Sequence, residues 1–247
     1  MFDILILSAE KDFNKIKFVY ESINKNILNY NKIHCITNVP VGEDLQINDI
    51  QYHLDEDVLN FDFTIFQGNV RERTGWYKQQ YIKLFQNVTI SDYLVVDSDI
   101  FFNRKINIDS DNPSFFFGRD QHHEPYFIFM KNMLNLEKCY NYSFINEIMF
   151  FKREYINSML KDLNVSSEEF FYKSAKIINT INHPSSMSEY ELYGNYVTKN
   201  FPDSYNYVHI KTYLGGKYTT WKDDDILQYM KNFENTDYDI ISMHTWV

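Results

Sequence analysis

Glycine and proline are scarce in this chain of 247 residues, at seven and five, and cysteine is scarcer still, at two. With so few breakers there is no low-complexity linker, no visible boundary between domains and no internal repeat. Cys35 and Cys139 are too few for a disulfide framework and lack metal-ligand spacing, which fits a reducing, cytoplasmic setting. Positive charge is in deficit: 24 Lys and Arg stand against 34 Asp and Glu, for a net charge of −10. That sign disfavours nucleic acid, whose phosphates need basic contacts, and electrostatic attachment to anionic membranes. No apolar run approaches the length that crosses a bilayer. The opening Met1-Phe2-Asp3-Ile4-Leu5-Ile6-Leu7-Ser8 has no basic leader and reads as a first strand, not a signal peptide. A glycine-rich phosphate loop is missing too, since Leu7 to Asp12 holds no glycine. What is abundant is aromatic: 20 Tyr and 21 Phe sit within a 44% hydrophobic composition, enough for a sizeable core.

The most informative stretch is Asp92-Tyr93-Leu94-Val95-Val96-Asp97-Ser98-Asp99-Ile100-Phe101-Phe102. Four consecutive apolar residues, Tyr93 to Val96, predict a strand buried on both faces, as in a parallel sheet. Two carboxylates follow at its exit. Side chains alternate along a strand, so Asp97 and Asp99 point to one side and Ser98 to the other. Two anions on one face repel unless a cation lies between them, and an all-oxygen set suits Mg²⁺ or Mn²⁺. In open α/β sheets the ligand crevice lies at the carboxyl ends of the strands, where this pair falls. An Asp-rich turn capping a strand is the plainer alternative.

The other segments assemble into an α/β doubly wound pattern. Residues 2–8 read as a strand, Asp12 as the N-cap of a helix to about Ile27, and Ile33 to Thr37 as a second strand. Phe61 to Phe66 is a third apolar run. Phe115 to Phe117 and Ser143 to Phe151 read as strands, Pro125 to about Leu136 as a helix, with further helices near 153–163 and 166–179. Tyr205 to Ile210 and Ile240 to Met243 read as strands flanking a helix from Asp223 to Phe233. Asp120-Gln121-His122-His123-Glu124 is better read as a loop than a metal cluster, because adjacent histidines point apart.

Two stretches add candidate binding groups. Between Gln67 and Lys83 the chain holds Arg71, Arg73, Lys78 and Lys83 against Glu72 alone, a local balance of +3 in an acidic protein. Lys83 falls one turn after Gln79 and Gln80, so the three can share a polar side. A cationic patch before the Asp strand suits a diphosphate, though an ordinary solvated helix face explains it as well. Further on, Ser188 and Glu191 have the spacing of a capping box. That gives Glu191 a structural duty and leaves Glu189 freer to face a cleft. Leu214-Gly215-Gly216-Lys217 brings backbone N–H groups and an ammonium together, as a phosphate site or a tight turn.

The run Tyr93 to Asp99 resembles the Asp-x-Asp motif of GT-A-type glycosyltransferases. Gly75-Trp76-Tyr77-Lys78-Gln79-Gln80, Ser188-Glu189-Tyr190-Glu191-Leu192-Tyr193-Gly194-Asn195-Tyr196 and Met243-His244-Thr245-Trp246 together resemble a little-characterised bacterial and viral subgroup of them, and the likeness spans nearly the whole chain. The resemblance implies a single domain, 1–247, on an open, mostly parallel, Rossmann-like sheet flanked by helices. Residues 1–103 would form the nucleotide-sugar half and 104–247 the acceptor half. It implies Mn²⁺ or Mg²⁺ held by Asp97, Asp99 and His244, a nucleoside-diphosphate sugar donor (a UDP-sugar by default) and a glycan or other hydroxyl acceptor. Ser8, Ala9, Glu10 and Lys11 would hold the base and ribose. Arg71, Lys78, Gln79, Gln80, Lys83, Asp97, Ser98 and Lys217 complete the donor-side candidates, with Glu189, then Glu191, as candidate catalytic carboxylates. Trp76, Trp221 and Trp246 are candidates for stacking on a sugar or base. The acceptor-side catalytic Asp of inverting members has no counterpart in this sequence, which leaves stereochemistry open. Rival readings are a haloacid-dehalogenase-like phosphatase, with Asp223-Asp224-Asp225 as its second acidic motif, a sugar-nucleotide pyrophosphorylase, and a non-catalytic sugar-nucleotide or carbohydrate binder.

Overall fold

The computed structural model describes residues 1–118, 121–215 and 221–244. In chain order the elements are β1 (Phe2–Ser8), α1 (Ile16–Asn26), β2 (Tyr30–Thr37), β3 (Ile50–Leu54), α2 (Asp55–Val58), α3 (Gly68–Arg71) and α4 (Thr74–Phe85). They continue with β4 (Tyr93–Asp97), β5 (Ile100–Phe102), β6 (Ser114–Phe117), α5 (Glu124–Leu134), β7 (Ile148–Phe151), α6 (Arg153–Leu163) and α7 (Ser167–Ile181). The last are α8 (Glu189–Asn200), β8 (Asn206–His209), β9 (Thr212–Tyr213), α9 (Asp223–Lys231) and β10 (Ile240–Ser242).

The central sheet has the order β3-β2-β1-β4-β7. Its strands run parallel except β7, which is antiparallel to β4. β1 is buried along its whole length, and Tyr93 to Val96 of β4 are fully enclosed, as two-faced burial in a helix-covered sheet demands. One hydrophobic cluster extends from Phe2 to Ile240, and a smaller one gathers Phe18, Phe101, Trp221, Ile226, Ile241 and Met243. The smaller cluster seats a second sheet, β5-β10-β9, in which β10 pairs antiparallel with β5. That pairing returns the end of the chain to the turn after β4: the Met243 N–H donates to the Asp99 carbonyl at 2.6 Å.

Three helices of this glycine-poor chain end on a left-handed asparagine. Asn135, Asn164 and Asn182 follow α5, α6 and α7 with φ of 49°, 52° and 52°, the left-handed conformation that asparagine tolerates best after glycine.

Several segments differ from their sequence reading. Asp12 is not an N-cap: it lies within a 3₁₀ turn, Glu10–Lys15, its carboxylate taken by Lys15 at 2.6 Å, and α1 starts only at Ile16. Phe61 to Phe66 is no strand, because Asp62 accepts the Thr64 N–H at 3.0 Å and turns the chain into a 3₁₀ segment. Its Phe rings pack on Phe171 instead. The third strand of the sheet is Ile50–Leu54, whose apolar residues Ile50, Tyr52 and Leu54 alternate as an edge strand should. Ser143 to Glu147 stays irregular and β7 is only four residues long. At α8 the capping box is half formed. Ser188 accepts the Glu191 N–H at 3.3 Å, but Glu191 turns its carboxylate to Ser143 Oγ at 2.6 Å and the Phe144 N–H at 3.2 Å.

Candidate functional site

A cleft of about 390 Å³ opens at the carboxyl ends of β1 and β4. Leu7, Ala9, Lys11 and Asp12 wall one side, Trp76, Gln79, Gln80 and Lys83 of α4 a second, and Asp97, Ser98, Asp99 and His244 the floor. A smaller neighbouring pocket, about 150 Å³, includes Ser8, Thr37, Asn38, Asp55, Gly75 and Lys78. The two pockets share Leu7, Ala9 and Gln79.

Asp97, Asp99 and His244 are each held on the floor by an identifiable constraint. Asp97 is the last residue of β4, and its N–H donates to the Glu147 carbonyl at 3.1 Å. Its carboxylate accepts from Lys83 Nζ at 3.3 Å. Asp99 is paired with His244 Nδ1 at 2.9 Å, and His244 Nε2 lies 3.9 Å from Glu147 Oε1. His244 is fixed by the N–H of the preceding Met243 on Asp99 and by its own N–H on the Gly215 carbonyl at 3.2 Å. Buried Lys15 reaches the Met243 carbonyl at 2.8 Å and ties the end of the chain to the 3₁₀ turn after β1.

The electrostatics follow from these contacts. Burial works to raise the Asp99 pKa, but the hydrogen bond and charge of His244, with Lys15 beyond, outweigh it and leave the carboxyl below its ordinary value. Burial works to lower that of His244, but Asp99, Glu147 and Asp97 overcome it and lift the imidazole above its ordinary value. Behind the floor, Lys83 is bracketed by Asp97 and by Glu189 Oε1 at 3.0 Å, with the Tyr190 ring centre 4.5 Å away. Burial opposes its charge, yet Asp97, Glu189 and Tyr190 hold its pKa well above the ordinary lysine value. Burial raises the Glu189 pKa above its ordinary value, outweighing the opposing pull of Lys83. A strongly basic ammonium at 3.0 Å nevertheless favours the ionised pair.

The sequence-predicted residues divide accordingly. Ala9, Lys11, Gln79, Gln80, Lys83, Asp97, Ser98, Asp99 and His244 meet in the larger cleft, and Ser8 and Lys78 line the smaller pocket. Lys78 is ion-paired to Asp55 at 2.6 Å. Lys83 is not on a solvated side of α4 but buried beneath it. Glu10 is exposed beside the cleft, its N–H on Asn38 Oδ1 at 3.1 Å, and Arg71 is exposed at the end of α3, outside the cleft lining. Glu189 does not face the cleft. It is 2% exposed and spent on Lys83, while its N–H is capped by Gln80 Oε1 at 3.3 Å. Glu191, 1% exposed, holds the Ser143–Phe144 turn and Asn195. No α8 carboxylate is therefore in the cleft wall, and the acidic lining is Asp12, Asp97 and Asp99. Trp76 is in the wall, with Arg73 over its ring at 4.6 Å, whereas Trp221 is a core residue. Lys217, Asp120 and Trp246 lie outside the described residues. His122 and His123 precede α5 on a loop, and His123 Nε2 bonds the Ser185 carbonyl at 2.8 Å. Sequence reasoning missed Glu147 and the inward turn of Lys15. An acid just before a strand and a lysine between Asn14 and Ile16 gave no local sign of it.

Two carboxylates and an imidazole on one cleft floor have the right chemistry for a hard divalent ion. They are not preassembled as a cage: His244 Nδ1 is engaged by Asp99, and among the described residues no three His, Cys, Asp or Glu side chains are set to hold a metal.

Fold and cleft together define an α/β protein of the GT-A, Rossmann-like type, with an open, mostly parallel sheet flanked by helices and a polar crevice at its strand ends. No protein-family model matches the chain, and no curated protein sequence matches it significantly. Solved structures do share its architecture. The galactosyltransferase LgtC, in complex with donor and acceptor sugar analogs, matches at TM-score 0.51 and 12% identity, over 98% of this chain and 86% of its own. An active-site mutant of LgtC gives the same values. Mouse xyloside xylosyltransferase 1, apo form, matches at TM-score 0.49 and 8% identity, over 100% of this chain and 99% of its own. Among the described residues no helix is long and apolar enough to cross a membrane.

Proposed function

We propose that the chain is a metal-dependent glycosyltransferase that moves a sugar from a nucleoside-diphosphate sugar, with a UDP-sugar the first to test, to a hydroxyl of a glycan acceptor. The observation that carries this reading is the meeting of Asp97 and Asp99 from the exit of β4 with His244 from the returning chain end, on one cleft beside Ala9 and Lys11. The shared architecture of LgtC, whose structure holds donor and acceptor sugar analogs, supports it at the level of fold. Residues 1–103 would bind the donor and residues 104–247 the acceptor, with His244 contributed across from the second half.

Asp97, Asp99 and His244 would hold Mn²⁺ or Mg²⁺, which when bound stabilises negative charge on the departing diphosphate. The protein's own groups do the rest. Lys11 and the Gln79 and Gln80 amides offer donors to phosphate and sugar oxygens, and Trp76 offers a ring to a base or sugar face. Ser8, Thr37, Asn38, Asp55 and Lys78 line the adjoining pocket and would meet the base and ribose. Lys83 keeps the Asp97 carboxylate aimed at the floor. Glu189 has no role as acceptor base in this reading, because its carboxylate is buried on Lys83.

The test is a thermal-shift panel of nucleotide sugars with and without Mn²⁺. A stabilisation that requires the metal and discriminates among bases names the donor. Equal melting with every nucleotide sugar would exclude the proposal. A metal-dependent shift without sugar release, even with varied acceptors, would favour a non-catalytic binder.

A further inference from the structure

On the flank formed by β6 and β8, five rings stand together at the surface. The strands run parallel with Phe115 opposite Tyr207 and Phe117 opposite His209. Residues two apart share a strand face, so these four rings project from one side. Phe115 is buried, but Phe117 and Tyr207 are only partly covered and His209 is exposed. The segment before β7 lays two tyrosines over them. Tyr142 stacks on Phe117 at 4.6 Å and 24°, Tyr140 stacks on Tyr207 at 4.1 Å and 25°, and His209 meets Phe117 edge-on at 5.5 Å. Tyr142 nevertheless remains 44% exposed.

Tyr140 and Tyr207 rest on the main core, but Tyr142 and His209 stand out from it, so the set is pre-stacked yet reaches solvent. None of the five carries an acidic or ammonium group, in a chain of net charge −10. Phenol and imidazole edges border the flat faces, so the surface offers apolar planes with hydrogen-bonding rims. That pattern suits a neutral ligand with the same alternation, the CH faces and hydroxyl rims of linked pyranoses. It suits a polyanion or an aliphatic helix poorly.

Position adds to chemistry. From Tyr142 the chain passes through Asn146, whose amide donates to the Phe116 carbonyl at 3.2 Å, to Glu147, which faces His244 Nε2. From His209 it passes through β9 to Gly215, whose carbonyl accepts the His244 N–H. Two short segments thus lead from this surface to the cleft floor.

We infer that Phe117, Tyr140, Tyr142, Tyr207 and His209 form an oligosaccharide platform that holds a neutral glycan alongside the cleft. Naming that glycan as the acceptor rests on the transferase reading. The test is saturation-transfer NMR on the whole chain, without nucleotide or metal, with cello-, malto-, xylo-, manno- and chitohexaose as probes. Wild type is expected to transfer saturation to the CH protons of at least one. Tyr142→Ala and His209→Ala are each expected to bind it roughly tenfold more weakly. Tyr142→Phe should keep binding, and all three should melt like wild type. Silence across the panel, or wild-type binding by Tyr142→Ala, would overturn the platform. So would sedimentation showing a dimer that Tyr142→Ala dissociates, since the rings would then be a self-association face. The two readings fail separately. A metal-dependent nucleotide-sugar shift in a wild-type protein that binds no oligosaccharide of the panel removes only the platform. Oligosaccharide binding by a protein that ignores every nucleotide sugar removes only the transferase.

Discussion

A lysine side chain with 9% of its surface in water needs anions around it, and Lys83 has Asp97 at 3.3 Å and Glu189 at 3.0 Å. The second contact changes the meaning of Glu189. Local sequence shows an acid in the first turn of a helix, where the dipole alone justifies it, and says nothing of a lysine 106 positions away in α4. Burial of this kind is a property of the tertiary fold, so it could not be read beforehand. By contrast Asp97 and Asp99 were readable, because the apolar run before them declares a buried strand and hence where its exit must be. Glu189→Ala is expected to lower unfolding stability by about 3 kcal/mol, the low end for breaking a buried pair, since Lys83 keeps Asp97 as a second anion. Denaturant unfolding measures it. A variant that unfolds like wild type but has lost sugar transfer would instead make this carboxylate part of the chemistry.

At the scale of elements, β2 and β3 contain a pair whose protonation bears on the sheet. His34 Nδ1 lies 3.0 Å from His53 Nε2, with the rings stacked at 5.3 Å. One N–H shared between two neutral imidazoles satisfies this contact, whereas two imidazolium rings would bring donor against donor. Burial lowers both pKa values from 6.5, against a smaller opposing pull from Asp3 on His34. The unfolded chain therefore takes up protons at a higher pH than the folded one. This part of the stability is complete above about pH 6.5 and is lost as pH falls below it toward the lowered folded values. Melting temperature should fall across that window, and the double variant His34→Gln, His53→Gln should flatten the slope. An identical slope in the variant would show that other groups govern it. The same strands mark where pattern reading stopped short. Ile50–Leu54 alternates as an edge strand but is brief and half polar, while Phe61 to Phe66 looked more strand-like and was turned aside by the Asp62–Thr64 hydrogen bonds.

For the whole molecule, what places the site is the return of the chain end. β10 adds to β5, Met243 pairs with Asp99, and His244 reaches the floor that β4 began. The parallel, helix-flanked class of the sheet was readable from alternating strands and helices, but its strand order was not. The closure was readable only in outline, as a terminal strand followed by a histidine, because antiparallel pairing across 140 residues leaves no local trace. The central claim is that this floor takes a divalent ion together with a diphosphate. It is tested most directly by the paramagnetic resonance of Mn²⁺ titrated with the protein and nucleoside diphosphates. The free-ion signal should fall below that of the nucleotide mixture when wild-type protein is added, and return with Asp97→Asn or Asp99→Asn. Wild-type protein that leaves the signal unchanged with every nucleoside diphosphate, or variants that quench it equally, would contradict the claim.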